Sequence, residues 1–444
     1  MLLKKEGNMK KQKGFNAYSS NFGGRGWFLV IFSLVTHYLV TASVNTMNLT
    51  AGVFGGAHGW STTTLFSFQT IAGWVAVFTM FLSGYLAQKY SPKLVSLVSL
   101  IFFAIAFFVW GHVTALWQFL LVLVALQVFG SAASYNGNSV LIANWFPRKR
   151  GLAIGWATIG MPLAAATGIV LTQTLLAKGG LTLPFYVFGG ATVVIIILGF
   201  IFLRDYPEQA GCFPDNDRSM TSEQAKAMMQ QGIEESKNSI WTPKKCFSTK
   251  EVWIIGVSLG LMFLFANGVM GQFIPKALSM GFDLNLAIAM MSVAGISACF
   301  GSYLCGLVDA KVGPRKAAIY THIIAAVAMI LSIIPTVPTL IIGTVVIGIV
   351  MGGSSNYLVS MCVALWGRYD FPKVYKILAP MSQFVGVGGS ALVALLAEAG
   401  GGQYTLAYIV MAALGVIGAV MLIFVKDQLP GQPQIVNAEP PAEA

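Results

Sequence analysis

Twelve long apolar runs joined by short polar connections leave this chain few ways to fold. A helix needs about 20 mostly apolar residues to cross about 30 Å of hydrocarbon. Within lipid it must also satisfy its own backbone hydrogen bonds. The runs lie near 27–49, 64–87, 94–113, 116–143, 152–176 and 184–203, then 252–274, 285–308, 317–335, 338–363, 374–397 and 404–425. Six runs, a polar stretch and six more runs predict an all-α membrane protein of twelve transmembrane helices in two six-helix bundles. The expected organisation is a segment 1–26, a bundle 27–203, a linker 204–251, a second bundle 252–425 and a tail 426–444.

Composition agrees. Only 10% of the 444 residues are charged and 56% are apolar, where a soluble domain carries about 25% charge. Thirty Phe and ten Trp exclude a solvated, disordered chain. Cys212, Cys246, Cys299, Cys305 and Cys362 form no metal-spaced pair, the three in apolar runs read as buried thiols, and no metal or other cofactor is expected. Basic residues from Lys4 to Lys13 precede the first run, but that run starts at Trp27 and is too long for a signal peptide, so it reads as a retained helix.

The net charge of +11 is an orientation signal. Lys89 and Lys93, Arg148 to Arg150, Lys311, Arg315 and Lys316, and Arg368, Lys373 and Lys376 occupy alternate loops, and the intervening short loops hold only Lys178 and Lys276. By the positive-inside bias, both termini and the linker are expected in the cytoplasm, with the chain multi-pass in the cell membrane. Such short loops supply no folded basic surface for nucleic acid.

Gly84 to Lys93 aligns without gaps on Gly306 to Arg315, an offset of 222, and the same offset carries Gly130 onto Gly352 and Tyr135 onto Tyr357. Two matches at half the chain length argue for duplicated halves. Parallel duplicated halves characterise one large transporter class, whose substrate site lies near the midplane between them.

The loop Gly306-x-x-Asp309-x-Lys311-x-Gly313-x-Arg315-Lys316 resembles the signature of the major facilitator superfamily, with Gly84 to Lys93 as its degraded copy. Asn144-Trp-Phe-Pro-Arg-Lys-Arg-Gly-Leu-Ala-Ile-Gly155 is similar to the segment opening helix five in the oxalate/formate antiporter and monocarboxylate transporter branch. Arg204 to Pro214, and Trp241-Thr-Pro-Lys followed by Trp253, are similar to that branch's central loop. The resemblance implies alternating access by a secondary transporter, with helices one, four, seven and ten around the cavity. The oxalate exchanger holds its dianion with an arginine in helix eight and a lysine in helix eleven. Residues 285–308 and 377–397 contain no charge, which points away from a dicarboxylate.

His37, near the middle of the first run, stands out as the one deep titratable group besides tyrosines, and intramembrane ionisable residues are functional candidates by default. Ser33, His37, Thr41, Asn45 and Asn48 share one helix face. So do Gln127, Ser131, Ser134 and Asn138 in helix four, with Tyr135 and Asn136 adjoining. Gln69, Asn267, Gln272, Ser354, Ser355, Asn356, Tyr357 and Gln383 add uncharged donors and acceptors. Each face lines either a cavity or a helix–helix seam. The candidate substrate set is His37, Thr41, Asn45, Gln69, Gln127, Ser131, Tyr135, Asn138, Asn267, Asn356, Tyr357 and Gln383. Together these residues suit a small organic acid, a monocarboxylate before a dianion. No Asp or Glu lies mid-span, so exchange or facilitated passage is favoured, and any proton coupling must run through His37. On the cytoplasmic side, Asp309 is expected to meet Arg150 or its neighbours Arg148 and Lys149 when that side is shut. Lys89 and Lys93 with Asp370 form the symmetric counterpart, and Arg315 belongs to the same signature. A surface helix is expected at 221–237, capped by Thr221, and Pro162 and Pro380 are expected to kink their spans.

The chain is expected to work as a monomer, with the bilayer and a small organic acid as partners. Export of a lipophilic amphiphile is the alternative, weakened because helix five reads Gly160-Met-Pro162-Leu-Ala-Ala where exporters often carry G-P-x-x-G-G. An intramembrane enzyme would need converging catalytic groups. His37, His58, His112 and His322 have none, and no nucleotide-binding loop occurs. Duplicated halves and gate motifs argue against a channel.

Overall fold

The computed structural model describes residues 19–217 and 222–426, and expectations at Thr221, residues 1–18 and the tail beyond Lys426 lie outside them. Among the described residues twelve helices are long and apolar enough to span a membrane. They are α1 (Gly23–His58), α2 (Thr62–Lys89), α3 (Pro92–Trp110), α4 (Leu116–Trp145), α5 (Arg150–Gly179) and α6 (Thr182–Phe202). After the linker come α7 (Lys250–Gly271), α8 (Leu284–Val312), α9 (Pro314–Leu331), α10 (Val337–Gly367), α11 (Tyr369–Ala399) and α12 (Thr405–Ile423). All twelve apolar runs became spans.

The halves repeat one packing scheme. In the first, α1 packs on α5, α2 on α4 and α3 on α6; in the second, α7 packs on α11, α8 on α10 and α9 on α12. These contacts are close because glycine stands at the crossings. A Cβ on Gly352 of α10 would lie 2.0 Å from the Ala298 carbonyl oxygen of α8, so only a hydrogen fits there. Large apolar side chains such as Phe102, Phe200, Ile324 and Ile423 stay exposed on α3, α6, α9 and α12, a surface that suits hydrocarbon.

Local breaks follow the chemistry. α5 is interrupted at Ile159, three residues before Pro162, whose ring clashes one turn back and which lacks an N–H. α10 passes to α11 through Gly367, at φ 71 and ψ 176, where L side chains rarely go. α11 carries Pro372 and Pro380 and breaks at Gly388. In α4, Ala132–Asn138 is a π-helical segment, an i→i+5 turn that rotates everything after it. The expected linker helix is present as Ser222–Lys237, and a side chain at its Gly232 would run into the ring of Tyr369.

Candidate functional site

The halves meet along two seams, α5 against α8 and α10, and α2 and α4 against α11, both strongest toward the end that carries the basic loops. In the first seam Asp309, at the end of α8, lies against Gly151 of α5, where a Cβ would clash with its carboxylate. Ser360 of α10 donates its hydroxyl to Asp309, and its carbonyl accepts from Arg150 Nε at 3.0 Å. Asp309 and Arg150 therefore come together as expected, but across Ser360, which the sequence did not single out.

One layer further in, Thr158 of α5, Ser302 of α8 and Asn356 of α10 close a polar triangle. The Thr158 hydroxyl lies 2.6 Å from Ser302 Oγ and donates to Asn356 Oδ1 at 2.7 Å, and Asn356 Nδ2 donates to the Ser302 carbonyl at 2.9 Å. Trp156 packs on Tyr303 at 5.1 Å between ring centroids. Asn356 is thus wholly buried in a seal.

In the second seam the π segment of α4 aims its polar groups in three directions. Tyr135 and Gln383 of α11 stand next to each other across this seam. Asn136 donates to the Met80 carbonyl and Ser83 of α2, and Asn138 accepts from Ser96 of α3 at 2.7 Å. Ser139 lies beside Tyr375, Lys376 donates to Gln88 at 2.6 Å, and Trp74 meets Phe384 edge-on at 4.7 Å.

Away from the basic loops α1, α7, α12 and the Gly389–Ala399 end of α11 do not pack extensively on the opposite half, while α8 still packs on the Gly160–Gly179 part of α5. Candidates Thr41 and Asn45 of α1 and Asn267 of α7 lie along these helices, and Gln69 lies on α2. Thr41, Asn45 and Gln69 are half-buried, and Asn267 is exposed. The Asn45 Nδ2 donor has no hydrogen-bond partner among the described residues, Gln69 donates to the Val44 carbonyl at 3.3 Å, and Asn267 donates to the Gly386 carbonyl at 3.0 Å. Gln127 and Ser131 are half-buried on α4.

Other candidates lie elsewhere. His37 is 2% exposed, with Nδ1 bonded to the carbonyl of Ser33 one turn back at 2.7 Å. It is not the one deep titratable group: His322 of α9 is equally buried, 3.3 Å from Ser258 Oγ. Tyr357 is fully buried inside the second half against Thr321, so the two repeat-related tyrosines do not face each other. The π turn at Tyr135 has no counterpart at Tyr357, where the helix is regular, and this rotates one tyrosine out of equivalence.

The expected symmetric gate is not formed. Asp370 pairs with Lys373 at 3.6 Å, Lys89 lies over the Tyr85 and Tyr90 rings, and Lys93 Nζ donates to the Phe200 carbonyl. Lys376 takes the place across from α2 instead. Arg148 pairs with linker residues Asp215 (3.2 Å) and Asp217 (2.6 Å), and Arg315 donates to the Val425 carbonyl. Asp215 is buried at φ 58 and collects the backbone N–H groups of Arg148 and Lys149 ahead of α5. Burial pushes its carboxyl up, opposed by those hydrogen bonds and the Arg148 charge. Asp205 does the same for α3 through the Lys93 N–H and Ser91.

The sequence model of the Major Facilitator Superfamily matches residues 17–335. The chloroplastic ascorbate transporter of Arabidopsis thaliana is 24% identical over 238 residues, 53% of this chain and 42% of that protein. The matched stretch thus spans less than half of that relative's length. Multidrug resistance protein MdtG of Dickeya zeae is 27% identical over 317 residues, 70% of this chain and 68% of that protein. The solved proton:xylose symporter XylE superposes with a TM-score of 0.75 at 12% identity, over 90% of this chain and 96% of that one, a likeness of fold.

Proposed function

The chain belongs to the major facilitator superfamily, and from that premise we propose that it carries a small organic monoanion by alternating access, with exchange as its mode. It is a multi-pass membrane transporter of the organic anion, sugar or drug type, acting on a small molecule. The observation that carries the finer reading is the Tyr135–Gln383 contact, where uncharged hydrogen-bonding groups from the two halves meet. A hydroxyl and an amide there, with the unpartnered Asn45 donor, suit one carboxylate. A dianion would leave charge unneutralised in a low-dielectric site, and α8 and α11 offer no basic residue within residues 285–308 and 377–397.

In this reading the bodies 27–203 and 252–425 rock about the seams, and the closed end of this conformation is the cytoplasmic one. The basic loops set that orientation in the cytoplasmic membrane, and one chain suffices. Extrusion of an amphiphile is the second reading, favoured by the Trp74–Phe384 pair between the halves and by the MdtG similarity. Proteoliposome uptake of labelled mono- and dicarboxylates, sugars and lipophilic cations, with and without internal substrate and a pH gradient, separates these. Monocarboxylate uptake accelerated by internal monocarboxylate supports exchange; uptake of lipophilic cations alone overturns the anion reading.

A further inference from the structure

At the outer end of the second half, opposite the basic loops, a cavity of about 360 Å³ lies among the connections α7–α8, α9–α10 and α11–α12. Its walls include Ser279, Gln403, Tyr404 and Thr405, with Ile333 and Pro335 on the apolar side. Lys276 lines it too and is only 3% exposed. An ammonium has three donors. One goes to the Ser332 carbonyl at 2.7 Å, and the charge sits 4.3 Å from the centroid of the Tyr408 ring. Among the described residues no carboxylate pairs with it.

A buried cation without an anion is costly, and an apolar side chain of similar length would pack there more cheaply. Tyr408 and a single carbonyl compensate only part of that cost. We propose that this cavity is a binding site for a small carboxylate monoanion, whose charge pairs with Lys276 and whose oxygens accept hydrogen bonds from the Gln403 and Thr405 side chains. One ammonium sets the charge at one, and the polar walls favour an oxyanion. The site lies within one half, away from the seams, and does not rest on the transport reading. Burial lowers the Lys276 ammonium to about 8, so a bound anion restores protonation that burial opposes. Occupancy also ties three connections together.

The test uses the full-length protein in lipid nanodiscs, with sodium acetate as probe at ionic strength held constant with sodium chloride. Amine acylation near pH 8, read by mass spectrometry, reports the neutral fraction of each lysine. Acetate is expected to slow labelling of Lys276 severalfold and saturably while the exposed Lys178 is unchanged, and Gln383→Leu is expected to keep this protection. Acetate should also raise the Tm of the wild type but not of Lys276→Met. Parallel slowing at Lys276 and Lys178 would mean charge screening and would overturn the proposal, as would an undiminished Tm gain in Lys276→Met. Should that variant fail to fold, the wild-type labelling decides alone.

Discussion

The Ser360 hydroxyl donates to the Asp309 carboxylate from a helix that also receives Arg150 on the Ser360 carbonyl. A serine between the two charges lets the seam close without an exposed ion pair, and hydrogen bonds to buried charged groups are worth about 1.5–3 kcal/mol. Ser360→Ala should therefore shift the conformational equilibrium by about tenfold or more toward opening at the basic end. Spin labels at positions 89 and 316 measure this as a longer-distance population; an unchanged distribution would remove Ser360 from the gate.

Two glycines separate opening from unfolding. Gly352 crosses α8 within one half, and overpacking a core costs about 1–3 kcal/mol. Gly352→Ala should lower Tm. Gly155 meets the Ser302 carbonyl across the seam, where a Cβ would sit at 2.9 Å. Gly155→Ala should leave Tm close to wild type and widen the basic end in the same spin-label measurement.

If Tyr135 and Gln383 hold the substrate, Tyr135→Phe and Gln383→Leu should each weaken transport through KM. Loss of one neutral hydrogen bond is worth about 0.5–1.5 kcal/mol, or about two- to tenfold. The double variant should cost less than the product of the singles, since the groups are immediate neighbours. Initial-rate uptake across substrate concentrations tests this, and full multiplicativity would count against a shared site.

His37 spends its Nδ1 on the Ser33 carbonyl inside its own helix. Glutamine can donate in the same place, so His37→Gln should retain uptake and its pH profile. Loss of pH dependence in this variant would instead establish histidine-borne proton coupling.

Lys276 gives a stability signature. Its folded pKa is lowered to about 8. The unfolded chain therefore holds more protons between about pH 8 and the usual lysine range, and stability rises with pH across that window. One proton of difference between the two states is worth about 1.4 kcal/mol for each pH step of one. The wild type should therefore gain about 1–2 kcal/mol over Lys276→Met between about pH 8 and about pH 9.5. Acetate should flatten that gain. Chemical denaturation at several pH values measures it, and parallel pH curves would mean that Lys276 is not desolvated.

The spans and the duplication were legible because lipid imposes length and hydropathy on every crossing helix, and α1 to α12 fall where the apolar runs fall. The Asp309–Arg150 approach was legible because charges at span ends are few. Thr158, Ser302 and Ser360 were not. A hydroxyl in an apolar run satisfies itself on its own helix, as Thr36 and Thr192 do on carbonyls four residues back, and sequence does not separate those from bridges. The different placing of the repeat-related Tyr135 and Tyr357 was not legible because an i→i+5 turn leaves no regular sequence mark. The depth of His322 does not show in the sequence because its partner Ser258 is 64 residues away.

The linker attachments have a mechanical consequence. Trp145 Nε1 and Asn144 bond the Arg204 and Asp205 carbonyls, and Asp205 and Asp215 clip the starts of α3 and α5. On the other side Trp241 stands edge-on to Trp366 at 5.7 Å. Residues 204–217 are thereby riveted to the first half, and the chain from Trp241 onward to the second. Any rotation between the halves must be taken up as torque in the stretch between, where the linker helix leans Gly232 on Tyr369. A graft that shortens or stiffens that stretch would limit how far the halves can turn against each other without touching a single residue inside the twelve long helices.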